Sequence, residues 1–89
     1  MGLDTIELVL WSEQEFEIDI PDSEAVHIFT VGQFSRYIYQ KLFELNGSAA
    51  TTEVEIFELI KSFLVSEFGI PPDKINRNAN FIKDLRLDQ

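Results

Sequence analysis

The chain has 89 residues, no cysteine, and sixteen acidic against seven basic side chains, for a formal charge of −9. That length suits one domain with a modest core, and the lack of cysteine excludes disulfide frameworks and thiolate metal sites. The charge disfavours nucleic acid and anionic membranes and favours partners with basic patches, although solubility alone would also explain it.

Hydrophobic content of 45% with eight Phe points to a packed globule rather than a disordered acidic tail. No apolar run approaches the ~18–20 residues of a membrane span. The N-terminus lacks the basic region of a signal peptide. The expectation is a soluble cytoplasmic protein.

From Leu3 to Phe16, helical projection places Leu3, Ile6, Val9, Leu10 and Phe16 on one arc, the expected buried face. Asp4, Glu7, Trp11, Gln14 and Glu15 fall opposite, with Asp4 and Glu7 near the helix start, where negative charge suits the macrodipole. Trp11 is a large ring among carboxylates. Either a neighbouring loop covers it or it contacts a partner.

Glu17-Ile18-Asp19-Ile20 alternates up to Pro21 and predicts an extended connector that buries Ile18 and Ile20. Pro21 to Val26 suits a short helical turn, with Val26 and Ile28 as core residues. His27, the sole histidine, reads as a surface or capping residue. Thr30 is an N-cap for a helix from Val31 to about Leu45. Its buried stripe is Val31, Phe34, Ile38, Leu42 and Leu45, flanked by Tyr37, Tyr39 and Phe43.

Residues 46–51 are small and polar, a helix stop and connector. The next helix spans about Thr52 to Phe68, with Ile56, Leu59, Ile60, Phe63, Leu64 and Phe68 at helical spacing. Gly69 caps it, and Pro71-Pro72 forbid continuation. A long loop over 69–84 is anchored by Ile70, Ile75 and Phe81, with Asn78 and Asn80 as turn formers. One further turn follows, Phe81 to Leu85. The sum is three substantial helices, a short one and a structured loop: an all-α fold in one domain, 1–89.

No glycine-rich phosphate loop, HExxH, CxxC or GxSxG occurs, and the acids never take EF-hand spacing. Nothing local converges on His27 to build a serine triad. The expectation is a protein that is not an enzyme and holds no metal.

Residues 3–40, with LDTIELV, then EF-x-I-x-IPD, then TVGQFSRYI, resemble the second half of an acyl carrier protein. Residues 53–88, with VEIFELIKSFLVSEFGI, then NRNANFIKDL and LRLD, resemble the first half of the same family. The resemblance implies a small antiparallel four-helix bundle in circularly permuted order, with 46–51 as the new linker. The alternative is a fragment spanning two tandem carriers, paired with a neighbour or swapped into a dimer. The closed, monomeric form is physically reasonable because domain termini often lie close together, whereas the tandem fragment needs the cut to fall at the motif by chance.

In that family a serine receives a 4′-phosphopantetheine arm that carries acyl groups as thioesters in fatty-acid, polyketide or related lipid synthesis. Read forward through Asp88, the serine position is Gln89; read backward from Leu3, it is Gly2. Neither has a hydroxyl, so the resemblance implies a chain not loadable at the usual site and without the cofactor. Thr5 is a hydroxyl, but it sits outside the motif frame. The family also implies that Asp4, Glu7, Glu13 and Glu15, with Asp88 from the motif, meet basic patches on the phosphopantetheinyl transferase or on synthesis enzymes. Trp11 stands where the family has a small or aliphatic residue, and Ser12 and Ser35 where it has apolar ones. These departures point away from the usual partner set and from an ordinary acyl pocket. The reading from another class is an acidic interaction module that never carried a prosthetic group.

Overall fold

Helix α1 (Leu3–Phe16), the one-turn α2 (Asp22–Ala25), α3 (Val31–Asn46) and α4 (Glu53–Phe68) form the molecule, followed by a 3₁₀ turn at Pro72–Lys74. The computed structural model describes residues 3–47 and 51–87. Among them there is no strand, only a single bridge between Thr30 and Asn80, so the all-α expectation holds. No helix among the described residues is long and apolar enough to cross a membrane.

The boundaries follow from local chemistry. Thr30 accepts from the Gln33 N–H while the Gln33 side chain accepts from the Thr30 N–H, a reciprocal capping box that starts α3. Gly47 ends α3 in a left-handed conformation at φ 72°. Thr52 caps α4 through the Glu55 N–H, and Gly69 closes it. The centre of the predicted connector, residues 48–50, lies outside the described residues.

One apolar core joins the two halves of the chain. Leu8, Ile18, Ile20, Val31, Phe34 and Ile38 pack in it with Ile56, Ile60, Leu64, Ile70, Ile75, Phe81 and Leu87. Helix α4 makes its main contact with α3 and a smaller one with α1. The long loop docks on the start of α3: the Val31 and Gly32 N–H groups donate to the Ala79 and Arg77 carbonyls, and the Phe81 N–H donates to the Phe29 carbonyl. A Cβ on Gly32 would sit 2.7 Å from the Arg77 carbonyl oxygen, so only glycine permits this approach. Arg77 in turn pairs with Glu53 at the start of α4.

Several expectations need correction. Helix α1 buries Thr5, Leu8 and Ser12, while Ile6 and Leu10 stand 42% and 54% exposed. Its core face is therefore turned by roughly one residue step, about 100°, from the predicted arc. Val26 and Leu45 are exposed rather than core, and Ala25 takes the place expected for Val26. Leu59 is also mostly outside the α4 stripe. In the loop, the turn-forming side chains are Asn76 and Asn80, which accept from the Asn78 N–H and from the Ile82 and Lys83 N–H groups. Asn78 itself supplies only a backbone donor there.

Candidate functional site

The acidic helix and an apolar cavity beside it are the two features with functional character. On α1, Glu7 and Glu15 are exposed and Asp4 and Glu13 half-buried. Glu13 is partly committed to the fold, because its carboxylate accepts from the Ile20 N–H at 2.9 Å and so fixes the connector. Exposed Ile6 and Leu10 lie on the same side of the helix and, with Val9, Ile20 and Pro21, line a shallow groove that Glu13 and Asp22 border. The solvent face of α1 is thus apolar in the middle and acidic around it.

Trp11 belongs to the interior side. Its ring stacks on Phe63 of α4, with centroids 4.4 Å apart and planes 17° from parallel. Phe16 meets it edge-on at 5.9 Å. The cover is therefore a helix rather than a loop, and the ring's chief contacts are internal. The volume of this indole joins α1 to α4 where a smaller residue would leave a gap.

Ser12 and Ser35 are fully buried. Each hydroxyl donates to the carbonyl one turn back, Leu8 and Val31, at 2.9 Å, which satisfies it without a partner in the core. Neither serine nor Trp11 lines the cavity, so these departures do not abolish it.

That cavity has a volume of about 300 Å³ and is bounded by Thr5, Leu8 and Val9 of α1, by Ala25, Val26, Ile28 and Phe29, by Phe34 of α3, and by Phe81 and Ile82 of the loop. Its size is at the lower end of small-molecule sites. Phe29 and Ile82 have no part in the sequence reading as cavity residues. The signal for Phe29 was present: an apolar residue before the N-cap Thr30, with Phe34 four positions into the helix, is the spacing of a hydrophobic staple.

The wall made by α2 is tied to α3 by a polar clasp. The Tyr37 hydroxyl donates to the Glu24 carboxylate, the Lys41 ammonium lies 3.3 Å from the same group, and it also sits over the Tyr37 ring at 5.7 Å. The Tyr37 bond, and secondarily Lys41, hold the Glu24 carboxyl below its usual range despite partial desolvation. Burial, then the bond to Glu24, pushes the Tyr37 phenol far above its ordinary value.

Gly2, Asp88 and Gln89 lie outside the described residues, as does the side chain of Leu3, whose backbone opens α1. Thr5, the remaining hydroxyl near that end, is 8% exposed and faces the cavity. It is no surface substitute for an attachment serine. His27 is exposed, as expected. Among the described residues no group of three or more His, Cys, Asp or Glu is arranged to hold a metal ion.

Comparison with known proteins finds similarity to acyl carrier proteins. That of Phenylobacterium zucineum is 50% identical over 41 residues, which is 46% of this chain and 52% of the relative. That of Caulobacter vibrioides is 51% identical over 40 residues, 45% of this chain and 51% of the relative. That of Amoebophilus asiaticus is 48% identical over 43 residues, 48% and 54% of the two chains. No protein-family model matches the chain, and no solved structure matches it. The chain spans about half the length of the curated relatives it matches, and over that half it is similar to acyl carrier proteins.

Proposed function

We propose that this chain is an acyl-carrier-like domain in permuted order, which keeps the carrier's fold and partner surface but cannot take the prosthetic arm at the usual position. The observation that carries the reading is the similarity at about 50% identity confined to half of each chain. Reversed order would give such a match, because a colinear alignment can follow one half of a carrier and not both. The shared core of the two halves supports closure within one chain.

A phosphopantetheine arm is joined through a phosphodiester, which needs a hydroxyl. Gly2 and Gln89 supply none, so the residues present do not fit the group. What remains is recognition. Glu7 and Glu15, with Asp4 at the helix start, would steer basic partners such as a transferase or an acyl-chain synthesis enzyme. Such steering raises encounter rates more than final affinity and weakens with salt. The exposed Ile6 and Leu10 among these acids favour a second reading as well, an acidic interaction module with no carrier role.

Incubation with a broad-specificity phosphopantetheinyl transferase and coenzyme A, followed by intact mass, tests the proposal. The expected spectrum is unchanged for this sequence, with a gain of one arm in a Gly2→Ser variant. A gain on the unaltered chain overturns the non-loadable reading. Failure of the serine variant favours the interaction module.

A further inference from the structure

We propose that Asn46 is a site of spontaneous covalent modification, converting to aspartate and isoaspartate, and that fraying of the last turn of α3 sets the rate. The chemistry needs no carrier role and stands independently of the function proposed above.

The chain has four asparagines, and only Asn46 is followed by glycine. Deamidation begins when the next residue's backbone nitrogen attacks the asparagine side-chain carbonyl, and a side chain on that residue crowds the approach. Gly47 has none, and a Cβ built on it would meet no described atom within 4 Å. Asn76, Asn78 and Asn80 precede Arg77, Ala79 and Phe81. The loop also holds these three. The Ala79 and Phe81 N–H groups donate to the Asn76 and Phe29 carbonyls, and the Asn76 and Asn80 side chains accept from backbone N–H groups.

The closed end of α3 opposes the attack at Asn46. The Gly47 N–H donates to the Phe43 carbonyl at 2.9 Å, and Asn46 is held as the last helical residue. That hold is weak. Phe43, Glu44, Leu45 and Asn46 are all exposed, with Phe43 and Leu45 at 50% and 63%. The turn has no basic residue, and Glu44 sits at the negative end of the helix dipole. A terminal turn with exposed side chains and an unfavourable charge opens at small cost. Each opening frees the Gly47 nitrogen and the Asn46 side chain together.

The Gly47 nitrogen then bonds to Asn46 Cγ, its proton passes to the departing nitrogen, and ammonia leaves a five-membered succinimide. Water opens the ring at the side-chain carbonyl to give aspartate, or at the main-chain carbonyl to give isoaspartate. The balance is one water consumed and one ammonia released, with nothing oxidised or reduced. Either product adds a carboxylate beside Glu44, against the dipole, and isoaspartate lengthens the main chain by a methylene. The change is local, because the fully buried residues of α3 end at Ile38. It loosens the junction of the two halves and leaves their shared core in place.

The test incubates the full chain in mildly alkaline buffer, folded and in urea. Peptide mapping by mass reads –NH2 becoming –OH, and an isoaspartyl methyltransferase labels the isomer. Conversion is expected at Asn46 with the loop asparagines unchanged, slower in the folded chain than in urea. Leu45→Gly lowers the helix propensity of an exposed position and should speed folded-chain conversion about threefold. Amide hydrogen exchange at Gly47 should quicken by the same factor, while the rate in urea stays the same. A folded chain that leaves Asn46 intact while the unfolded chain converts overturns the proposal, as does earlier conversion of a loop asparagine. A folded-chain rate indifferent to Leu45→Gly, with Gly47 exchange quickened, overturns the role of fraying.

Discussion

Helices α1 and α4 both carry apolar residues around much of their circumference, yet the core holds them differently. Helix α4 drives Ile56, Ile60 and Leu64 to complete burial, one above the other at helical spacing. Among the described side chains, helix α1 buries one aliphatic residue, Leu8, between two hydroxyl residues, Thr5 and Ser12, and leaves Ile6 and Leu10 to solvent. The contrast separates two tasks. The aliphatic stripe of α4 supports the core shared by both halves of the chain, while α1 gives up apolar burial and keeps an apolar strip among carboxylates on its outer face. Under the proposed reading, α1, spared from maximal burial, is the helix that would meet a partner.

Truncation should expose the difference. Ile60→Ala removes a fully buried side chain from the centre of the α4 stripe and is expected to cost about 4 kcal/mol, near the upper part of the usual range. Leu8→Ala borders a cavity that is already open, so fewer packing contacts are lost, and about 2 kcal/mol is expected. Urea unfolding of both variants measures the gap. Equal costs would break the comparison and make α1 as much a support as α4.

The same contrast explains what the sequence revealed. In α3 and α4 the signals mostly agree: Thr30 and Thr52 cap, Gly47 and Gly69 terminate, and the aliphatic stripes mark the buried side except at Leu45 and Leu59, which are exposed. The loop anchors Ile70, Ile75 and Phe81 are buried as their apolar spacing among turn residues implies. In α1 the signals conflict. Ile6, Val9 and Leu10 outweigh Leu8 in a hydrophobic projection, and Thr5 and Ser12 count as polar although a serine hydroxyl can be satisfied by its own helix. The projection therefore settles a quarter-turn or so away, and Trp11 lands on the wrong side. The cavity was illegible for another reason. Its wall is assembled from α1, α2, α3 and the loop, and only the packed fold brings Phe29, Phe34 and Ile82 to one space.

A smaller effect concerns the wall of α2, a four-residue helix too short to be stable alone. Tyr37→Phe removes the bond to Glu24 and should cost about 1 kcal/mol, modest because the carboxylate is partly hydrated. The pH dependence gives the signature. The native Glu24 carboxyl titrates below 4.5, so the native state binds fewer protons than the unfolded chain in that window. Its contribution is present above about pH 4.5 and lost as pH falls. The Tyr37 phenol titrates above its ordinary 10.0, so the native state keeps a proton that the unfolded state loses, and stability declines as pH rises past about 10. Thermal melts of the wild type and Tyr37→Phe across pH should show both flanks flattened in the variant. Unchanged flanks would detach the clasp from the stability of the cavity wall.

The least effect should come from the residue that misled the projection. The Ser12 hydroxyl donates to the Leu8 carbonyl, which in a regular helix already accepts from the Ser12 N–H. Removing the hydroxyl leaves no buried donor unmet and relieves a desolvated polar group, while opening only a small void. Ser12→Ala is therefore expected to stay within about 0.5 kcal/mol of the wild type in urea unfolding. Ser35→Ala should behave alike, since its hydroxyl donates in the same way to Val31. A loss above about 2 kcal/mol in either would mean that the hydroxyl fixes more than its own helical turn. At position 12 it would also mean that α1 is anchored by polar contacts as firmly as α4 is by aliphatic ones. A near-neutral result would place the weak hold on α1 in its side-chain composition: among the described residues Leu8 is its one fully buried aliphatic side chain, against three in α4.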